Sequence, residues 1–171
     1  EFLSRFLSAS STEAAATETD INLILRKIEL LVSFQARLRK INMTYSYGDM
    51  PAVVVNSFQI EQAILNVVNN SIEALGPGNN ITVRTGTRSC FDSDYVFVEI
   101  SDTGPGISHP GTREIASRLK KAKGFGLMIT REIIVQNGGH LEISSSKNSG
   151  TRITILLPAE CARIEQNLGI S

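Results

Sequence analysis

The chain has 171 residues, 42% of them hydrophobic, with 17 basic and 17 acidic residues and a formal net charge of zero. This composition is typical of one globular domain with a sizeable core, and the balanced charge argues against binding to nucleic acid or a membrane surface. No apolar run approaches the roughly 20 residues of a membrane-spanning helix. The two cysteines, Cys90 and Cys161, are far apart, which fits a reducing, cytoplasmic compartment and argues against a cysteine metal site.

The first part of the chain predicts a helix end, a linker and a second helix. Residues 1–10 (EFLSRFLSAS) are apolar at helical spacing and resemble the last turns of a helix that begins upstream, while residues 10–19 have a linker composition. Asp20 is the predicted N-cap of a helix that runs to about Lys40. Its expected buried positions are Ile21, Ile24, Leu25, Ile28, Leu31 and Leu38.

The remaining elements alternate between strands and helices. We expect strands at 41–47, 52–55, 81–87, 95–101, 140–146 and 151–157, and helices at 56–75 and 126–137. Asn56 and Gln59 resemble a capping box, and Gly138 is expected to end the last helix in the left-handed conformation. The order predicts one α/β domain over 20–158, an α+β two-layer sandwich with helices on one face of a mixed, largely antiparallel sheet, followed by a tail at 159–171.

Three asparagines occur inside the helix predicted at 56–75. Asn66, Asn69 and Asn70 each cost roughly 0.5 kcal/mol relative to Ala in a helix interior, and they form a polar stripe with Gln62 and Glu73. Asn66 and Asn70 are one turn apart, so their carboxamide oxygens can converge on one cation or phosphate. The alternative is a solvated helix face, but such faces usually carry Lys or Arg, and this helix has neither.

Two glycine-containing segments follow. Asp102-Thr103-Gly104-Pro105-Gly106 comes at the end of a predicted strand, where a carboxylate can accept a hydrogen bond from a planar amine and glycines allow close approach to a flat ring. The alternative is a simple turn. Gly124-Phe125-Gly126 opens the last helix, whose free N–H groups would suit a phosphate, although a tight helix entry explains the glycines equally well.

The loop between these segments is basic. It carries Arg113, Arg118, Lys120, Lys121 and Lys123, which would either meet a polyphosphate or form a solvated charged surface. No Walker loop or Rossmann fingerprint occurs in the chain. The two histidines, His109 and His140, are too widely separated to build a zinc centre with the cysteines and are expected to be ordinary surface or loop residues.

The order of these segments resembles the nucleotide-binding domain of sensor histidine kinases, in the superfamily shared with type II topoisomerases and the Hsp90 chaperones. QAILNVVNNSIEAL is similar to the family's N box, SDTGPGI to its first glycine box, GFGLMI to its second, and GGHLEISSSKNSGTRITILLP to its closing hairpin. The resemblance covers about Asp20 to Pro158. It implies a Bergerat-type ATP-binding fold that transfers the γ-phosphoryl group of ATP to a histidine on a dimerisation domain.

The resemblance also implies residue roles. Asn70 would bind Mg²⁺, and Asn66 would occupy the position where hydrolytic relatives carry a water-activating Glu. Asp102 would accept the adenine amine. The implied catalytic residues are Asn66 and Asn70, and the implied nucleotide-binding residues are Asn70, Glu73, Asp102, Gly104, Gly106, Ile107, Lys123, Gly124, Phe125, Gly126, Leu127 and Thr151. The implied partners are ATP or ADP, the histidine-bearing domain, a response regulator and a second subunit in the full-length protein.

The chain departs from the family pattern between the two glycine boxes. Residues 107–123 contain no phenylalanine and form a short lid, and Ala122 stands where the second box often has one more glycine. Either the lid is reduced or some of its residues are absent from the sequence. Two alternatives therefore stay open: a nucleotide-binding module without catalysis, and a free-standing serine kinase of the anti-sigma type. Residues 1–10 argue against the second, because they resemble the end of a dimerisation helix, with the acceptor histidine upstream.

Overall fold

The computed structural model of the chain describes residues 15–90, 93–106 and 125–159. Within these ranges the chain forms three helices and seven strands. In chain order they are β1 (Thr17–Thr19), α1 (Ile21–Leu38), β2 (Asn42–Ser46), β3 (Val53–Val55), α2 (Ser57–Ala74), β4 (Asn80–Cys90), β5 (Ser93–Asp102), α3 (Phe125–Gln136), β6 (His140–Ser145) and β7 (Thr151–Pro158). The predicted fold class, helices packed on a mixed and largely antiparallel sheet, is confirmed.

The main sheet has five strands in the order β2-β4-β5-β7-β6. All neighbours pair antiparallel except β2 and β4, which run parallel. A separate two-stranded sheet joins β1 to β3, with Thr17 opposite Val55 and Thr19 opposite Val53. The predicted linker is therefore wrong for residues 17–19, because β3 offers this short segment an antiparallel partner that its composition does not reveal.

Helix α1 begins as predicted but buries a different set of residues. The Asp20 side chain accepts hydrogen bonds from the backbone N–H groups of Asn22 (2.8 Å) and Leu23 (3.4 Å), so the predicted N-cap is confirmed. Leu31 and Leu38 were expected in the core, yet they are 57% and 68% exposed. Their places are taken by the buried Val32 and Ala36, which continue the helical phase of Ile21, Leu25 and Ile28. The prediction failed because apolar residues occupy two sides of this helix.

Helix α2 follows its prediction closely and forms the centre of the core. The side opposite the polar stripe is buried and packs with the inward-facing residues of β4, β5 and β7 in one hydrophobic cluster; its apolar members are Ile60, Ala63, Ile64, Val67, Val68 and Ile72. The Asn56 side chain accepts a hydrogen bond from Gln59 N (3.1 Å), as expected of the cap. The backbone N–H of Asn56, however, donates to Asn137 Oδ1 (2.8 Å). The second hydrogen bond of the predicted capping box is therefore accepted by Asn137, directly after α3, and not by the Gln59 side chain.

Helix α3 ends in the predicted glycine cap. Gly138 has φ +75°, its N–H donates to Val135 O (3.0 Å), and the N–H of Gly139 donates to Ile134 O (2.8 Å). These two bonds are the Schellman pattern, which turns the chain directly into β6. None of the helices formed by the described residues is both long enough and apolar enough to cross a membrane.

Candidate functional site

Asp102, the last residue of β5, connects two segments of the candidate site. Its Oδ1 accepts hydrogen bonds from the backbone N–H groups of Gly104 (2.9 Å) and Thr151 (3.2 Å). One carboxylate oxygen therefore fixes the turn after β5 and the start of β7. The second oxygen, Oδ2, accepts no hydrogen bond from residues 15–90, 93–106 or 125–159. Within the described residues, Oδ2 of this half-buried carboxylate is therefore an unused acceptor.

The glycines around Asp102 allow backbone segments to touch. A Cβ on Gly104 would lie 2.7 Å from Leu75 Cδ2, so this turn packs directly against the end of α2. Gly106 (φ +64°) and Gly150 (φ +76°) adopt conformations that disfavour side chains, and a Cβ on either would collide with a carbonyl oxygen, that of Ser146 or of Asp102. The turn after β5 and the β6–β7 turn therefore form one tightly packed unit.

The other end of the candidate site lies where α3 begins. A Cβ on Gly126 would lie 3.3 Å from Nδ2 and 3.7 Å from Oδ1 of Asn70. The first turn of α3 therefore faces the polar side of α2. Asn70 and Leu75 are five residues apart, which is about 7 Å along a helix. Helix α2 thus holds the Asn70 end and the Asp102 end at a fixed short separation.

The orientation of α3 is set at both of its ends. Asn137 accepts from Asn56 N (2.8 Å) through Oδ1 and donates through Nδ2 to Gln59 Oε1 (3.1 Å). The C-terminal end of α3 is thereby fixed to the first turn of α2, while Gly126 lies against Asn70 near the end of α2. The two helices run antiparallel, and this arrangement aims the start of α3 at the candidate site. Sequence reasoning missed Asn137, because its partners are about 80 positions away.

Thr103 is a second residue that sequence reasoning missed. Its Oγ1 accepts from Asn80 N (2.9 Å) and donates to Asn79 Oδ1 (3.1 Å), and its N–H donates to Asn80 O (3.1 Å). These bonds fasten the turn after β5 to the loop between α2 and β4. The Gly-Pro-Gly-Asn-Asn sequence of that loop signals a break in the helix, but it does not indicate which hydroxyl will bind it.

The residues of the polar stripe on α2 differ in how far they are buried. Gln62 and Glu73 are exposed, whereas Asn66, Asn69 and Asn70 are half-buried. Oδ1 of Asn69 is buried and accepts no hydrogen bond from the residues that the structure describes. Buried oxygens of this kind are usually satisfied, so Asn69 Oδ1 is an exception among the described residues.

The other predicted site residues are placed as follows. The Thr151 hydroxyl lies 3.0 Å from the Ser145 hydroxyl beside Asp102, and Leu127 packs partly buried against the core. Phe125 is the first residue of α3. Ile107, Lys123, Gly124, His109 and the basic loop residues lie outside the described residues. His140 is exposed next to Tyr95, with ring centroids 6.0 Å apart, as expected of a surface residue.

Comparisons with known proteins agree with this geometry. Sporulation kinase E of Bacillus subtilis is 28% identical over 146 residues, covering 82% of this chain and 19% of that protein. Sensor histidine kinase ZraS of Escherichia coli O157:H7 is 27% identical over 157 residues, covering 89% and 33%. The structure of the mycobacterial sensor histidine kinase MprB superposes with a TM-score of 0.66 at 25% identity, covering 84% of this chain and 97% of that one.

The chain therefore spans a third or less of the length of these two curated relatives. The family described as histidine kinase-, DNA gyrase B-, and HSP90-like ATPase matches residues 55–160, which is more than half of the chain. This match includes α2, the turn after β5, the start of α3 and the closing hairpin, which are the elements that build the candidate site. The chain belongs to the histidine kinase-, DNA gyrase B- and HSP90-like ATPase family.

Proposed function

We propose that this chain is the ATP-binding catalytic domain of a sensor histidine kinase, which transfers the γ-phosphoryl group of Mg-ATP to a histidine on a dimerisation domain. The observation that carries the proposal is the state of Asp102. One of its oxygens is held by Gly104 and Thr151, and the other accepts no hydrogen bond from the described residues. A fixed carboxylate with one open acceptor suits the exocyclic amine of adenine.

The remaining site residues would bind the rest of the nucleotide. Gly104 and Gly106 shape the pocket for the adenine ring, and Glu73 lies on its rim. The first turn of α3, entered through Gly124 and Gly126, offers backbone N–H groups and the positive end of the helix dipole to the phosphates. Ile107, Lys123, Phe125, Leu127 and Thr151 complete the proposed set.

Asn70 is the proposed ligand for Mg²⁺. Its carboxamide supplies a hard oxygen of the type that Mg²⁺ takes, and it lies against Gly126 at the proposed phosphate position. Since Mg²⁺ prefers few protein ligands together with substrate phosphates, one Asn fits the ion. The bound ion would neutralise phosphate charge, and the domain itself would contribute no nucleophile.

Transfer, and not hydrolysis, is the expected chemistry. A nitrogen of the acceptor histidine would form the new bond to the γ-phosphorus while the bond to the β–γ bridging oxygen breaks and ADP leaves. Asn66 stands where hydrolytic relatives carry Glu, and a neutral carboxamide does not take a proton from water at pH 7. We therefore propose slow ATP hydrolysis, a cytoplasmic homodimer as the full-length protein, and a response regulator as the final phosphoryl acceptor.

Incubation with γ-labelled ATP, with and without the dimerisation domain of the same protein, tests the proposal. We expect no label on this chain alone, slow release of phosphate, and an acid-labile label on a histidine of the added domain. Rapid phosphate release by the chain alone would identify an ATPase instead. An acid-stable label on an added protein would identify a serine kinase, and nucleotide binding without any transfer would identify a non-catalytic module.

A further inference from the structure

Helix α1 carries an apolar face that the core does not use. Its five members fall within roughly 100° around the helix axis at 3.6 residues per turn, so they share one side, and each is between 57% and 78% exposed. They are Leu23, Leu30, Leu31, Phe34 and Leu38. Single exposed apolar residues need no explanation, but a contiguous stripe of this kind marks an interaction surface. We call it the outer face of α1.

The outer face borders a groove between two parallel helices. Lys27 of α1 and Glu61 of α2 form an ion pair at 2.8 Å. Arg39, which caps α1, donates to the carbonyl oxygens of Ile72 and Glu73 near the end of α2 (both 3.4 Å), so the helices run in the same direction.

The α2 side of this groove is also apolar. Phe58, which is 64% exposed, and the partly buried Leu65 lie one turn to either side of Glu61. Leu23 and Leu31 lie one turn to either side of Lys27 on α1. The groove is therefore apolar on both flanks, with a single ion pair across it, and it suits a third amphipathic helix.

We propose that the outer face of α1 is the docking surface for residues 1–10 of the same chain. This segment carries Phe2, Leu3, Phe6 and Leu7, which are spaced so that a helix would present all four on one side. Packed in the groove, these four side chains would cover the exposed leucines and phenylalanine of α1. Each side chain removed from water would contribute favourably, because both surfaces are apolar.

The point where the described chain begins lies within reach of the groove for this segment. Thr17 pairs with Val55, and Asn56, the next residue, caps α2, so the chain enters β1 beside the N-terminal ends of α1 and α2. The ten residues from Leu7 to Thr17 reach up to about 33 Å when extended. The outer face from Leu23 to Leu38 is about 22 Å long. The segment can therefore reach the whole face without any change in the domain.

A single fluorophore tests the proposal, because the chain contains no tryptophan. In the full chain with Phe6→Trp, we expect the indole to emit at a shorter wavelength than free tryptophan in the same buffer and to be quenched less by acrylamide. Adding Leu30→Ser and Phe34→Ser should shift the emission to that of free tryptophan. Adding Val135→Ser instead should not, since Val135 is a comparably exposed apolar residue (58%) on α3.

Three outcomes would overturn the proposal. The first is emission from the parent Phe6→Trp chain that matches free tryptophan. The second is a blue-shifted emission that Leu30→Ser and Phe34→Ser leave unchanged. The third is a blue shift that disappears on dilution together with a dimer in light scattering, which would assign the face to a second copy. The substituted side chains are exposed, and circular dichroism checks that each variant is folded.

Discussion

The two ends of the candidate site are built in different ways. At the Asp102 end, one carboxylate oxygen binds two backbone N–H groups, Gly106 and Gly150 let two backbone turns touch, and Gly104 lets the Leu75 side chain pack against the first of them. At the Asn70 end, a side chain only lies against the first turn of α3. In the proposed function, the first end therefore combines folding and binding in the same atoms, whereas the second separates them. Substitutions at the Asp102 end should lower stability, nucleotide binding or both, whereas substitutions at the Asn70 end should lower function alone.

Gly150→Ala should have the largest effect, through folding. Gly150 has φ +76°, and its new Cβ would collide with the carbonyl oxygen of Asp102. Strain of this kind together with a backbone clash should lower the free energy of unfolding by about 3 kcal/mol or more. Gly76→Ala is the matched control, because a Cβ there meets nothing within 4 Å. Urea denaturation measures both, and equal midpoints would contradict the packing described for the β6–β7 turn.

Asp102→Asn should chiefly weaken binding. The Asn oxygen can still accept from Gly104 and Thr151, but the second position becomes an N–H₂ group that cannot accept from an adenine amine. Losing a charged hydrogen bond costs roughly 1.5–3 kcal/mol, or about 10- to 150-fold in affinity for ADP. Asp102→Ala should in addition lower stability, since two N–H groups lose their acceptor.

The control for this prediction is Asp94→Asn, which changes an exposed carboxylate near the opposite end of β5. Calorimetry should give that variant the ADP affinity of the parent. If Asp102→Asn also binds ADP like the parent, Asp102 does not recognise the nucleotide and its role is only to join β5 to β7.

The sequence predicted features that lie within one short stretch, but it did not predict contacts between distant segments. The Asn stripe and the glycine segments were recognisable because each lies within one short stretch, and a resemblance to a family connects them. The bonds of Thr103 to Asn79 and Asn80, and of Asn137 to Asn56, were not predictable, because each joins segments that are adjacent only after folding.

Helix α1 shows a second limit. Periodicity correctly predicted a helix from Asp20, but this helix has apolar residues on two sides. Periodicity alone does not decide which side meets the sheet, so Leu31 and Leu38 were assigned to the core in place of Val32 and Ala36. The short strand β1 was missed for a related reason, since three residues paired with a distant partner leave no periodic signal.

Asn70→Ala should affect function at the other end of the candidate site. Because Asn70 is half-buried and its side chain makes no hydrogen bond among the described residues, the loss of that side chain should change the melting temperature little. If its carboxamide binds Mg²⁺, the variant should bind ADP equally well in Mg²⁺ and in EDTA. Gln62→Ala, on the exposed part of the same stripe, should keep the Mg²⁺ dependence of the parent. A large loss of stability in Asn70→Ala would instead indicate a structural role.

Gly126→Ala should give the smallest effect. Its Cβ would lie 3.3 Å from Asn70 Nδ2, the flexible end of a side chain, so the structure can adjust by a few tenths of an ångström. Stability should stay equal or rise by up to about 1 kcal/mol, because Ala is the better helix former. ADP affinity in Mg²⁺ should fall modestly as Asn70 is displaced. Thermal unfolding and calorimetry on one sample check both, and a clear loss of stability would contradict the loose packing at this end.

The most direct test of the central claim is a calorimetric titration of the unmodified chain with ADP and with GDP, each in Mg²⁺ and in EDTA. If Asp102 accepts a hydrogen bond from the adenine amine and Asn70 binds the ion on the phosphates, ADP should bind in Mg²⁺ and bind more weakly in EDTA. In both buffers the affinity for ADP should be higher than the affinity for GDP. GDP places a carbonyl oxygen where adenine has its amine, so its ring would face the Asp102 carboxylate unfavourably. Equal affinity for ADP and GDP, or no binding of ADP in Mg²⁺, would contradict these roles of Asp102 and Asn70.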